Sequence, residues 1–152
     1  MELILITGPQ AVGKMTVGKE LEKHMDAELL YNHQTLDLFA RFLGYTKEAF
    51  RLSDETRKNL FRAFVKSERN VVSGIIFTVV VAYNLENDRA FLKDVCKMFL
   101  QAAAKFTMWS WRLPCPNGLK EIPERTGCWR NPPNVILISP GTSCWGVLKS
   151  IG

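Results

Sequence analysis

Apolar positions along this chain switch repeatedly between a strand period and a helix period. Leu3-Ile4-Leu5-Ile6 is a continuous apolar run, so Glu2 to Thr7 reads as a strand covered on both faces. From Gly13 to about Asp26 the pattern is helical. Val17, Leu21 and His24/Met25 share one face, while Lys19, Glu20, Glu22 and Lys23 face water. Leu29-Leu30-Tyr31 predicts a second strand. Thr35 to Leu43 predicts a helix with Leu36, Phe39, Ala40 and Leu43 as its apolar stripe, ended by Gly44. A further helix is predicted from Ser53, as N-cap, to Arg69, with Leu60, Phe61, Phe64 and Val65 inward. Val71 to Ala82 is apolar and mostly β-branched apart from Ser73 and Gly74, as in a buried strand. Asp88 to Lys105 predicts a last helix that buries Phe91, Val95, Met98 and Phe99. Strands alternating with helices predict an α/β fold, a parallel sheet flanked by helices.

The pattern stops near Lys105. Residues 105–152 hold all four Trp, six of the seven Pro and three of the four Cys, with no sustained periodicity. One reading is an irregular C-terminal tail draped over the sheet. The sharper reading is that residues 105–152 are out of frame. Trp and Met have single codons, so a one-nucleotide shift turns Met108-Trp109-Ser110-Trp111-Arg112 into a segment that can read Tyr-Val-Glu-Leu-Glu. The same shift forces a Leu at Cys128-Trp129 and another at Cys144-Trp145. The expected organisation is therefore a core over residues 1–104 and an atypical segment over 105–152.

Composition bounds the class. Hydrophobic residues are 47% and charged residues 23%, which is globular composition and not that of a disordered chain. No apolar run approaches the roughly 18 residues of a membrane span, and no basic, apolar leader opens the chain. A cytoplasmic location without membrane partners is the expectation. Cys96, Cys115, Cys128 and Cys144 then read as thiols, at spacings that match no zinc template. The net charge of +5 does not argue for nucleic acid. Residues 1–104 carry 14 basic against 13 acidic side chains, so the excess belongs to the tail and forms no basic stripe.

The strongest chemical signal is Gly8-Pro9-Gln10-Ala11-Val12-Gly13-Lys14-Met15-Thr16, directly after the first strand. The pattern G-x-x-x-x-G-K between a strand and a helix is a phosphate-binding loop, which makes the expected fold P-loop NTPase-like. Gly8 and Gly13 permit backbone angles that a Cβ would hinder. Successive N–H groups and the helix N-terminus then cradle an anion. Lys14 supplies a positive charge for the β- and γ-phosphates, and the Thr16 hydroxyl can reach a phosphate oxygen. The position after the lysine, normally the hydroxyl that ligates Mg²⁺, is Met15. A thioether is a poor ligand for that hard cation. Either Mg²⁺ is held by water and nucleotide, with Thr16 helping, or metal-dependent transfer is impaired.

Gly13-Lys14-Met15-Thr16-Val17-Gly18, with Leu21, resembles the shikimate-kinase-like group of small P-loop kinases. The stretch Ile4 to Leu21, with Tyr31-Asn32-His33-Gln34-Thr35-Leu36-Asp37 and Gly74-Ile75-Ile76-Phe77-Thr78, is more closely similar to bacterial proteins described as AAA-family ATPases or shikimate kinases. The resemblance covers residues 1–104. It implies a kinase core with ATP as phosphate donor, Mg²⁺ as its cation and a small-molecule acceptor. Asn32-His33-Gln34 stands where shikimate kinases place Asp-x-Asp, and Val79-Val80-Val81-Ala82 where they place a Gly-rich turn.

Asn32 and His33 follow the second strand, at the carboxyl end where open α/β sheets bind ligands. They are the candidate substrate residues. His33 can act as base toward an acceptor hydroxyl, which makes it and Lys14 the catalytic candidates. Asp37 and Thr78 are weaker candidates, better read as a solvated helix carboxylate and a packed strand residue. The expected function is an ATP phosphotransferase acting on a small-molecule hydroxyl. The alternatives are an ATPase without acceptor and an inactive nucleotide-binding module.

Overall fold

The computed structural model describes residues 1–82, 85–110 and, as backbone, 134–138. Strand β1 (Glu2–Thr7) is the centre of the sheet, and its alternating side chains feed two cores. Leu3 and Leu5 point to one side, Ile4 and Ile6 to the other, as the two-residue period of a strand requires. Strand β3 (Gly74–Val79) does the same, with Ile75, Phe77 and Val79 on the first side and Ile76 on the second.

The sheet order is β2-β3-β1-β4-β5, with β2 at Ala27–Tyr31, β4 at Lys105–Ser110 and β5 at Asn134–Ile138. The first four strands are parallel. β5 pairs antiparallel to β4, with Met108 opposite Ile136. Among the described residues four helices connect and flank the strands: α1 (Lys14–Glu22), α2 (Asn32–Leu43), α3 (Lys47–Lys66) and α4 (Glu86–Gln101). Parallel strands need such crossovers, so the α/β expectation holds.

The larger core lies between the sheet and α3 and α4. Phe61, Phe77 and Phe99 are fully buried there, and Phe61 meets the other two edge-on at centroid separations of 5.3 and 5.9 Å. The smaller core lies under α1, where Val17, Leu21 and Met25 pack on Ile4, Ile6, Leu29 and Ile76. Gly18 is buried against Leu29, where a Cβ would come within 2.5 Å of the leucine methyl.

Several boundaries depart from the sequence pattern. α3 begins at Lys47 rather than Ser53, because Thr46 caps it by accepting the Ala49 N–H at 3.3 Å. Ser53 is instead fully buried within the helix. Leu60, expected inward, is exposed. α4 stops at Gln101, and Lys105 opens β4. The aperiodic segment expected from Lys105 thus starts later, since Phe106 and Met108 are core residues and 134–138 form a strand. Short strands of this kind, one on the sheet's edge, carry too few residues for a clear period. The out-of-frame reading otherwise rests on residues 111–133 and 139–152, outside the described residues. Among the described residues no helix is long and apolar enough to cross a membrane.

Candidate functional site

The loop from Gly8 to Thr16 leaves the carboxyl end of β1 and runs into α1. Its turn takes positive φ at three places, Gly8 at 154°, Ala11 at 58° and Gly13 at 81°. Gly13 takes that conformation without strain, and Ala11 tolerates it at a modest cost. Gly13 is also the N-cap of α1, and it offers no side-chain cap to the helix amides. Those amides are left for another partner.

Lys14 folds back over the loop. Its Nζ donates to Gly8 O at 2.9 Å and to Pro9 O at 2.5 Å. The side chain is only 9% exposed, and burial pulls its pKa down from 10.5 to about 8. A buried ammonium held only by carbonyls lacks an anionic partner. The arrangement can take one, with charge from Lys14 and N–H donors from the start of α1. Met15 and Thr16 are both exposed.

A cavity of about 440 Å³ opens beside this loop. Gln10 forms one wall, and Asn32, His33, Asp54, Arg57, Phe50 and Phe91 form much of the rest. It lies at the carboxyl ends of β2 and β3, where the sheet topology places ligands. A larger recess of about 570 Å³ lies at the opposite, amino ends of the strands, lined by Met1, Asp26 and Ser73 among others, with no comparable loop.

The cavity floor is organised by Arg57, which the sequence pattern did not single out. Its guanidinium is buried and every edge is engaged. Nε donates to Ser53 O at 3.1 Å, Nη2 to Ser53 Oγ at 2.8 Å, and Nη1 to Asn32 Oδ1 at 2.5 Å. Asp54 Oδ1 lies 2.9 Å from Nη2, and the rings of Phe77 and Phe91 flank the cation at 5.7 and 5.6 Å. Burial lowers the Arg57 pKa, opposed by Asp54. Burial also raises the Asp54 carboxyl, and repulsion from Asp88 adds to it. The signal for Arg57 was a basic residue on the buried stripe Ala49, Ser53, Arg57, Phe61, a four-residue spacing along one helix face.

Asn32 is therefore a structural ligand of Arg57 as well as a cavity residue. His33 stands at the cavity mouth and is exposed. Its Nδ1 lies 3.2 Å from Asp37 Oδ1, and the Tyr45 hydroxyl donates to the same oxygen at 3.3 Å. With Nδ1–H given to Asp37, the neutral ring keeps its lone pair on Nε2. Thr78 is buried near the end of β3.

Two described positions that would serve a magnesium ion beside such a loop are otherwise used. Met15 replaces the hydroxyl, and Asn32 gives its side-chain oxygen to Arg57. Among the described residues no three His, Cys, Asp or Glu side chains come together to hold a metal ion.

No family model matches this chain, and no curated protein matches it. Among solved structures it is similar to the crystal structure of APE1195, at 16% identity and a TM-score of 0.49, over 71% of this chain. The chain spans 58% of that protein's length.

Proposed function

We propose that this chain binds ATP on the Gly8–Thr16 loop and transfers its γ-phosphoryl group to a hydroxyl of a small molecule in the adjoining cavity. The observation that carries this reading is Lys14. Its ammonium lies buried on the Gly8 and Pro9 carbonyls, at the carboxyl end of the central strand. A phosphate chain on the loop would replace those carbonyls as its partner and gain the α1 amides as donors. Thr16 is the third residue of α1, with a hydroxyl for a phosphate oxygen.

The acceptor would sit between Gln10 and the Arg57 floor, with its hydroxyl toward His33. His33 Nε2 would take the hydroxyl proton as the oxygen attacks phosphorus in line and the β–γ bridging oxygen leaves with ADP. Asp37 orients the ring and stabilises the imidazolium that results. The loop contributes positioning and charge, which are the main needs of phosphoryl transfer.

The test begins with binding. ATP should raise the melting temperature of the wild-type chain and leave that of Lys14→Ala unmoved. ADP release should then rise when hydroxylated metabolites are added. No thermal shift in the wild type would overturn the nucleotide site. Release indifferent to every acceptor would leave an ATPase in its place.

A further inference from the structure

We infer that none of the described residues bonds the Mg²⁺ accompanying the loop's nucleotide, so that among them the cation is reached only through nucleotide oxygens and water. This inference rests on the proposed nucleotide site. A phosphate-binding loop ordinarily secures the cation through the hydroxyl after the lysine and a carboxylate at a neighbouring strand end. Both are missing here. The residue after Lys14 is Met15, 44% exposed, and its thioether sulfur is a soft, weak donor for a cation that demands oxygen.

Thr16 does not fill the gap. One residue along an α-helix turns the side chain by about 100°, so residues 15 and 16 address different sides of the same ligand. The oxygen at the end of β2 is equally committed, because Asn32 Oδ1 accepts from the buried Arg57 at 2.5 Å. Freeing it would leave a buried guanidinium N–H without a partner. β3 ends at Val79, and Val80, Val81 and Ala82 directly after it carry no side-chain oxygen. Asp54 and Asp88 lie on the acceptor side of the cavity, where Asp54 pairs with Arg57 and Asp88 Oδ2 accepts the Ala82 N–H at 2.8 Å. Among the described residues no three His, Cys, Asp or Glu side chains come together to hold a metal ion. The grip on the nucleotide then comes from Lys14 and the backbone amides, which recognise phosphate whether or not a cation is attached.

Calorimetric titration of the full chain with ATPγS, once in magnesium and once in EDTA, tests this. The expected affinities agree within about fivefold. Met15→Ser restores the absent hydroxyl, and its affinity should become more than fivefold tighter in magnesium than in EDTA. Tightening beyond fivefold by magnesium in the wild type overturns the inference, and its loss in Thr16→Ala would name Thr16 as the ligand. A Met15→Ser variant that binds normally but gains no magnesium dependence also overturns it, since position 15 would not be where the ligand is missing. Failure of the underlying reading looks different: ATPγS then binds in neither buffer.

Discussion

Arg57 Nη1 donates to Asn32 Oδ1 across 2.5 Å, and that bond ties the middle of α3 to the first residue of α2. The same guanidinium holds Ser53 and Asp54 on its own helix. Removing either partner has an unequal cost. Asn32→Ala leaves one buried donor unsatisfied and should destabilise the chain by about 1–2 kcal/mol. Arg57→Met strands the Asp54 carboxylate and the Asn32 amide together, and should cost about 2–4 kcal/mol. Urea melts of the two variants check the order. Equal losses would mean that the network is not centred on Arg57.

Phe61 and Phe42 are both phenylalanines on helices with opposite surroundings. Phe61 is fully buried between Phe77 and Phe99, whereas Phe42 is 82% exposed. Phe61→Ala should cost about 3–5 kcal/mol through lost transfer energy and the cavity left behind. Phe42→Ala should stay within about 0.5 kcal/mol of the wild type. Chemical denaturation of both, compared at equal slope, is the measurement.

Lys14 gives the chain a pH signature. Its folded pKa of about 8 lies below the ordinary 10.5, so between those values the unfolded chain binds more protons than the folded one. Stability should therefore rise as pH climbs through 8 toward 10.5, and that contribution should vanish as pH falls through 8. Thermal melts across this window should show the rise in the wild type and lose it in Lys14→Met. Phosphate binding runs the other way, because an anion favours the charged lysine. Affinity for ATPγS should weaken as pH rises above about 8, with proton uptake visible as a buffer-dependent binding enthalpy.

His33 is the proposed base, and its variants separate catalysis from binding. His33→Gln should lower acceptor-stimulated ADP release by about a hundredfold or more. Its ATPγS affinity should stay within about twofold of wild type, because the loop is untouched. Asp37→Asn should cost less, since it disturbs only the orientation of the ring. Equal losses of turnover and nucleotide affinity in His33→Gln would place that residue in the nucleotide site instead.

The long apolar runs were legible because burial on both faces leaves a strong mark. Leu3 to Ile6 and Val71 to Ala82 read directly as buried strands, although the second forms only Gly74–Val79 and leaves Val71 fully exposed. The loop after β1 was equally clear, as glycine and lysine spacing is a local property. What the local pattern does not carry depends on partners far along the chain. Ser53 looked like a cap, yet Thr35 Oγ1 lies 2.8 Å from its hydroxyl and Arg57 donates to it. The sequence pattern does not single out Arg57, although it sits on the stripe that α3 buries. Asn32 read as a substrate residue from its place at a strand end, while its bond to Arg57 spans 25 positions. Lys105 to Ser110 lacked a visible period, but β1 supplies the neighbour that makes it a strand.

The position of β1 has one more consequence. It is hydrogen-bonded to β3 on one side and β4 on the other along its whole length. Its amides cannot meet solvent unless the sheet itself parts, so they should belong to the last unit to exchange deuterium. The loop that follows hangs from that slowest-opening strand rather than from a peripheral hinge. A ligand seated there would slow exchange in β1 by the full measure of its binding energy, so occupancy at the loop could be read as protection deep inside the sheet.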